Sequence, residues 1–425
     1  MEFQTPNRAA INNKRVIVRV DFNVPLEEYR GKWLVKDDRR LRDTRRTISY
    51  LLDHRAKVIL IAHLGRPKGK PIQKFSLKPI AEYLKNQFHW PIKFVPSTIG
   101  EEVTTAIQAM EPGTAILLEN LRFQTEEKDN NSLFAKTLAG YGDVYINEAF
   151  SASHREHASI VGIPKYLPSF AGFSLQNEAQ TLADLMDKPK RPFIVVLGGA
   201  KISDKVGAIK HLAKLADIVL VGGATANNFL KAEGFEIYRS FVEEKVNAKK
   251  GEVQDYTKLA AQIISQHKTE RILKDGYLPL PKLLYPIDVV AAPSLDTELK
   301  RQTQIIDLSH DMKDKEENIQ LLYLDIGPNT QKLYAEIIAG AGTVFWNGPM
   351  GVWENPLFAA GTRAIGKAIV NTKAKTVLGG GDTIAAAHHF QVEKKFKYVS
   401  AAGGAALEFL SGQILPGLKP LLIGK

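Results

Sequence analysis

The sequence predicts an α/β protein of two doubly wound lobes, each with a parallel sheet, joined by a hinge helix. Three observations carry this expectation. Short β-branched or aliphatic runs alternate with longer amphipathic stretches along the whole chain. The apolar runs are continuous rather than alternating, as strands buried on both faces require. Around ten such runs are too many for one comfortable sheet.

Taken in order, the strand-like runs are Val16–Phe22, Val58–Ala62, Ala115–Glu119 and Val144–Asn147. Phe193–Leu197, Ile218–Val221, Leu321–Ile326, Thr343–Trp346, Thr376–Leu378 and Tyr398–Ala401 follow. Helical patterns such as Thr44–His54, Lys78–Phe88, Asp204–Leu215 and Gln331–Ala339 lie between them, which implies βαβ units. The best seam is at residues 164–191, where Pro164, Pro168, Pro189 and Pro192 bracket the helical stretch Leu175–Asp187. This divides the chain into a first lobe (1–170), a hinge helix (171–190) and a second lobe that starts at 191. The polar stretch Lys245–Lys274 and the charged run Asp311–Glu317 read as surface decoration of the second lobe.

The 425 residues include no cysteine, so disulfide scaffolds, thiolate metal sites and cysteine nucleophiles are excluded. The start, Met1 to Pro6, lacks a basic segment followed by an apolar one, and no apolar run approaches the ~20 residues of a membrane helix. The expectation is a soluble, cytoplasmic protein. Of the net charge of +11, residues 1–70 supply +9, from 17 lysines and arginines against 8 acids. Such a concentration suits a nucleic-acid binder or an enzyme that collects a highly anionic small substrate.

In open α/β sheets, ligands bind outside the carboxyl ends of the strands. Phe193–Leu197 runs into Gly198-Gly199-Ala200-Lys201, then Ser203, Asp204 and Lys205. Glycines let the backbone approach a phosphate, and the two lysines are spaced to share one face of an opening helix turn. Thr376–Leu378 ends in Gly379-Gly380-Gly381-Asp382-Thr383, where Asp382 is a hard oxygen ligand suited to Mg²⁺ beside phosphates. Ser400-Ala401-Ala402-Gly403-Gly404 repeats the layout. Three other patterns are set aside. Gly361 to Lys367 imitates a phosphate loop, but Ala368 stands where Ser or Thr should hold the metal, and an ordinary helix is expected. Gly379–Ile384 lacks the third glycine of a dinucleotide fingerprint, and His154-Arg155-Glu156-His157 has no third metal ligand nearby in sequence. The first lobe instead sets Arg19, Asp21 and Asn23, then His63 and Arg66, then Arg122, then His154 and Arg155 at successive strand ends. Arginine's planar fork suits phosphate and carboxylate. One lobe looks built for nucleotide phosphates with metal, the other for a small, multiply anionic partner.

These motifs, in this order, resemble the phosphoglycerate kinase family over nearly the whole chain. The resemblance rests on Arg19-Val20-Asp21-Phe22-Asn23-Val24-Pro25, His63-Leu64-Gly65-Arg66-Pro67 and Glu119-Asn120-Leu121-Arg122-Phe123. It continues through Asn147 to Ser159, Gly198 to Lys205, Leu324-Asp325-Ile326-Gly327-Pro328, Trp346 to Glu354 and Gly379 to Thr383. It implies two Rossmann-like lobes and Mg-dependent, reversible phosphoryl transfer between ATP and the carboxylate of 3-phosphoglycerate, in a monomer whose second lobe spans 191–408 and whose C-terminal tail (409–425) packs back on the first lobe. By the resemblance, Asp21, Phe22, Asn23, Arg40, His63, Leu64, Gly65, Arg66, Arg122 and Arg155 would bind 3-phosphoglycerate. Lys201, Lys205, Gly222, Gly327, Asn347, Pro349, Glu354, Gly380, Gly381, Asp382 and Thr383 would bind the nucleotide. Glu354 would face the ribose and Asp382 the magnesium. Arg40, Lys205 and Gly381 would be catalytic, and the lobes would close for each turnover.

Several positions depart from the family pattern. Arg46 occupies the usual proline, and adjacent Arg39 and Arg40 compete for the catalytic slot; counting back from Thr47-Ile48 selects Arg40. Glu148 replaces an aspartate, Ser151 and Ser153 stand where glycine and alanine are common, and Ala224-Thr225 replaces Gly-Met. Ala401-Ala402 replaces Thr-Gly, so a positive φ at position 402 would be strained and would slow the reaction. The alternative is a catalytically weakened homologue acting as a binding module through its basic N-terminal region, although no nucleic-acid partner is expected.

Overall fold

The computed structural model describes residues 1–243, 245–247, 253–267, 270–273, 277–308 and 320–424. The charged run Asp311–Glu317 and parts of Lys245–Lys274 lie outside them. The chain divides into two compact units, Met1–Thr181 with Ile414–Lys425, and Leu182–Gln413.

The first unit is built on six parallel strands: β1 (Arg15–Arg19), β2 (Lys57–Ile61), β3 (Ile92–Val95), β4 (Ala115–Leu118), β5 (Val144–Asn147) and β6 (Ser169–Ala171), in the order β3-β4-β2-β1-β5-β6. Period-two geometry explains the continuous apolar runs. Val16, Val18, Val58 and Leu60 enter one core with Ile48, Leu51 and Leu84, while Ile17, Ile59 and Ile61 enter another with Phe134 and Leu138. Helices Arg45–Asp53 and Lys78–Phe88 cover the first face, and Ser132–Ala139 covers the second. The C-terminal stretch returns to this unit: Gln4 N donates to Leu421 O, Ile423 N to Glu2 O, and Asn147 Nδ2 to Gly417 O.

The second unit carries β7 (Phe193–Leu197), β8 (Ile218–Val221), β9 (Leu283–Leu284), β10 (Thr343–Asn347), β11 (Lys375–Gly379) and β12 (Tyr398–Ser400), all parallel, in the order β9-β8-β7-β10-β11-β12. The crossover directions reverse between β7 and β10, which opens a crevice at their carboxyl ends. Fully buried Trp346 anchors the core beneath it, its Nε1 donating to Gly348 O at 2.9 Å. Helix Phe173–Asp187 begins in the first unit and ends in the second.

The structure corrects three sequence readings. Leu322–Ile326 is not a main-sheet strand: it pairs antiparallel with Asp288–Ala292, which also pairs with Gln304–Asp307 in a separate sheet. An apolar run reports burial on two faces, not the direction of its neighbours. Second, β3, β6 and β9 escaped the reading because they are short edge strands of two to four residues. Third, the helix after β7 starts at Val206, so Lys201 and Lys205 sit in the loop before it rather than on one helical face. The Gly361–Lys367 imitation is ordinary helix within Ala360–Val370: Gly361 packs on Asp325 and Gly366 on the Trp346 ring.

Candidate functional site

At the carboxyl edge of the first sheet, β1 ends in Arg19 and runs on to Asp21 and Asn23. Asp21 Oδ1 accepts the Asn23 backbone N–H at 3.1 Å, and Arg40 Nη1 lies 2.9 Å from Oδ2 and 3.1 Å from Oδ1. Arg40 also donates to Asn23 O at 3.2 Å, and Ser151 Oγ donates to Asp21 Oδ2. Helix Arg39–Asp43 therefore delivers Arg40 to the Asp21–Asn23 turn, while the Arg39 backbone N–H is taken by Asp37. Asn23 Oδ1 accepts from Gly65 N at 2.9 Å, and Gly65 O accepts Arg122 Nη1 at 2.6 Å. One chain of contacts thus links the loops after β1, β2 and β4.

Arg122 is 5% exposed, and its Nε and Nη2 have no acceptor among the described residues. Burial, then the neighbouring Arg155 and Arg19, push its guanidinium down to about 10. Burial and the same cations hold His63 well below the usual histidine range. A buried fork with two unspent donors among Arg19, Arg66 and Arg155 is an excess of positive charge that an anion would relieve. Phe22 and Leu64 belong to the hydrophobic core, so only their backbone can serve the site. Leu64 is clamped by Asn120, which accepts from its N–H and donates to its carbonyl.

In the second unit, the crevice between β7 and β10 is floored by backbone. A Cβ on Gly198 would lie 2.1 Å from Pro349 O, one on Gly348 2.1 Å from Gly198 O, and one on Gly223, at φ +59°, 2.7 Å from Gly199 N. Above this floor is a cavity of about 490 Å³ lined by Gly199, Ala200, Gly223, Ala224, Pro349, Glu354 and Asp382. Its other wall is Phe241, Leu295, Tyr323 and Trp353, with Arg239 and Asn227. Sequence reasoning missed this wall. Phe241 precedes a polar stretch read as decoration, while Tyr323 lies in a run read as a strand and Trp353 in the Trp346–Glu354 motif, where neither spacing says which way the ring faces.

The other expected residues divide. Gly381 opens helix Gly381–His389 with free space at its Cα, behind Gly380 at φ +90°, so its N–H group is available to an anion. Asp382 is exposed in the same first turn. Lys205 Nζ lies 3.1 Å from a Cβ built on Gly199, and burial lowers its pKa against the pull of Asp204 and Asp382. Lys201 is exposed. Asn347 is 2% exposed at the end of β10, and its Nδ2 has no acceptor among the described residues. Thr383 spends its Oγ1 accepting Gly348 N at 2.6 Å, which makes it a tie between two loops. Gly222 packs on Met350 and Gly327 on Asp288; neither lines the cavity. The feared strain at position 402 is absent. Gly403 takes the positive φ, +56°, and Ala402 does not.

Among the described residues no group of three or more His, Asp or Glu could hold a metal. The donor set at Asp382 is one exposed carboxylate facing a cavity suited to phosphates. That fits a small hard cation completing its shell with phosphate oxygens and water.

The comparisons agree with this geometry. The family model for phosphoglycerate kinase matches residues 7–413. A phosphoglycerate kinase of Herpetosiphon aurantiacus is 42% identical over 421 residues, covering 99% of both chains. One of Moorella thermoacetica is 43% identical over 411 residues, covering 97% of both. Among solved structures, phosphoglycerate kinase from Coxiella burnetii superposes with a TM-score of 0.79 at 33% identity, covering 98% of both chains. That from Pyrococcus horikoshii gives 0.76 at 32%, covering 97% of this chain and 96% of its own. With two parallel-sheet units, an arginine-lined edge on one and a glycine-floored crevice on the other, the chain belongs to the phosphoglycerate kinase family.

Proposed function

We propose that this chain catalyses reversible transfer of the terminal phosphoryl group of ATP to the carboxylate of 3-phosphoglycerate, giving 1,3-bisphosphoglycerate and ADP, in glycolysis and its reversal. The observation that carries the reading is the buried Arg122 with two unspent donors beside His63, Arg66 and Arg155. This cluster holds the phosphate of 3-phosphoglycerate in the first lobe, and the Asp21–Arg40–Asn23 turn holds its carboxylate end. The crevice of the second lobe takes the nucleotide, with the base against Phe241, Leu295 and Trp353 and the ribose at Glu354. Its phosphates lie over Gly199 and the N-terminus of helix Gly381–His389.

The acceptor carboxylate is ionised at neutral pH, so no general base is required. Catalysis reduces to alignment, exclusion of water and neutralisation of charge on the transferring group. Arg40 and Lys205 carry the charge, and the Gly381 N–H adds a fixed donor. Asp382 would hold magnesium, which supplies further charge neutralisation across the phosphate oxygens when bound with the nucleotide. The protein acts as a cytoplasmic monomer. No observation favours the binding-module reading. An NADH-coupled assay with glyceraldehyde-phosphate dehydrogenase tests the proposal: turnover with ATP and 3-phosphoglycerate supports it, and silence at saturating Mg²⁺ removes it.

A further inference from the structure

Behind the arginine-lined edge runs a buried polar file that the transfer itself does not use. Glu127 and Arg19 are both fully buried, which charged groups tolerate only when partnered. Ser159 joins them. Its Oγ donates to Glu127 Oε1 at 2.6 Å and accepts from Arg19 Nε at 2.9 Å, while its backbone N–H donates to Glu127 Oε2 at 3.0 Å. Arg19 Nη1 is spent on Val20 O, and Nη2 meets His63 Nδ1 at 2.8 Å. The guanidinium is therefore fixed at three of its nitrogens.

A guanidinium has donors and no acceptor. Nδ1 of His63 must accept, because an Nδ1–H would set two N–H groups against each other at that distance. An imidazolium fails for the same reason, and the ring's single proton is left on Nε2. We propose that Arg19, held in place by Ser159 and Glu127, is a positioning residue that fixes His63 as the Nε2–H tautomer, which offers one neutral donor to the anion bound among Arg66, Arg122 and Arg155. The inference rests on the reading of this lobe as the 3-phosphoglycerate site. The surroundings agree with it. Burial and the charges of Arg19, Arg122, Arg155 and His157 all oppose a second proton on His63, and Glu127, with His157 Nδ1 at 3.6 Å, is the buried counter-charge to the group. A donor locked in this way gives direction to binding without adding another cation to a site already rich in them. It also keeps recognition constant across the pH range where a free histidine would titrate.

The test is spectroscopic and needs no turnover. The full chain, labelled with ¹⁵N at its 10 histidines, is followed by long-range ¹H–¹⁵N correlation, with His63 assigned by its loss in His63→Gln. The expected result is a neutral Nε2–H pattern for His63 from about pH 5.5 to about 8, across the usual histidine midpoint. An Nδ1–H pattern, or titration within that range, overturns the proposal even if the coupled assay finds a fully active kinase. Ser159→Ala then asks whether Arg19 must be held. It should give mixed His63 tautomers and raise the 3-phosphoglycerate KM about fivefold, the equivalent of one hydrogen bond, with the nucleotide KM unchanged. A wild-type His63 pattern with an unchanged KM in that variant overturns the role given to Ser159 and Glu127.

Discussion

At the carboxyl edge of the first sheet charge is met by side chains; at the matching edge of the second it is met by backbone. Arg40, Arg122 and His63 are held by Asp21, Gly65 O and Arg19, so two charged heads and one neutral donor have fixed directions before any ligand arrives. In the second unit Gly198, Gly223 and Gly348 press main chains together, and helix-end N–H groups form most of the polar surface offered, with Lys205 and Asp382 beside them. The contrast follows from the ligands proposed. A small anion with two charged ends needs rigid forks at set separations, whereas a polyphosphate needs close approach along a surface without side chains. Substitutions should therefore fail differently: on one edge through direction and charge, on the other through space.

The sharpest test of the contrast is Arg40→Ala. Losing a preorganised charge at the transferring group should lower kcat by ~10²–10³ with little change in nucleotide KM. Arg39→Ala should mainly raise the 3-phosphoglycerate KM at low salt, an effect that fades as salt screens it. Steady-state kinetics at two ionic strengths decide this. If Arg39→Ala is the dead variant, the register through helix Arg39–Asp43 is off by one.

Next in size is a pair of glycine substitutions. Gly223→Ala combines a left-handed φ with a Cβ 2.7 Å from Gly199 N, so it should cost on the order of 3 kcal/mol in urea unfolding. Gly381→Ala meets open space and should leave stability unchanged while raising the nucleotide KM. Equal destabilisation by both would erase the distinction between glycines that pack and glycines that face the ligand.

Asp382→Asn removes one anionic oxygen from a hard cation. It should raise the magnesium needed for half-maximal activity on the order of tenfold without moving the melting temperature. Normal activity at limiting magnesium removes Asp382 from the metal site.

The smallest effect expected is on stability against pH, and each unit contains its own probe. Glu148, buried at the start of helix Phe173–Asp187, accepts from Thr47 Oγ1 at 2.6 Å and from Ser174 N at 3.2 Å; burial pushes its carboxyl up to about 8. Asp325, buried beneath the second crevice, accepts from Gly361 N and Ile326 N and is likewise pushed up to about 8 by burial. Both folded values lie above the unfolded ones, near 4.5 and 3.8. Their contribution is therefore full below those values and is lost as pH rises through about 8. Melting temperature should fall between about pH 5 and about pH 8, and Glu148→Gln and Asp325→Asn should each flatten part of that fall. A wild-type profile unchanged by either substitution would show that these carboxyls ionise as ordinary acids do.

The two edges were also unequally legible in the sequence. Guanidiniums at strand ends announce themselves, and Arg19, Arg122 and Arg155 could be placed together from their positions alone. Glycines do not say what they face: Gly222 and Gly327 read like Gly381, yet they pack on Met350 and Asp288. The aromatic wall was illegible because Phe241, Tyr323 and Trp353 come from three distant segments, brought together only by the fold. The antiparallel strand Leu322–Ile326 was hidden by its own apolarity, which fits either kind of sheet. Ala402 misled for a related reason, since a one-residue shift moves the left-handed turn onto Gly403.

The return of the C-terminal stretch to the first unit has a consequence for how the protein is made. Gln4 pairs with Leu421 and Asn147 with Gly417, so the first unit is sealed by residues synthesised after the whole of the second. On the ribosome, the N-terminal sheet can gather its six strands early, but it must wait for more than two hundred further residues before its final partners emerge. The second unit is uninterrupted in sequence and faces no such delay, so it can complete folding while the first is still unsealed.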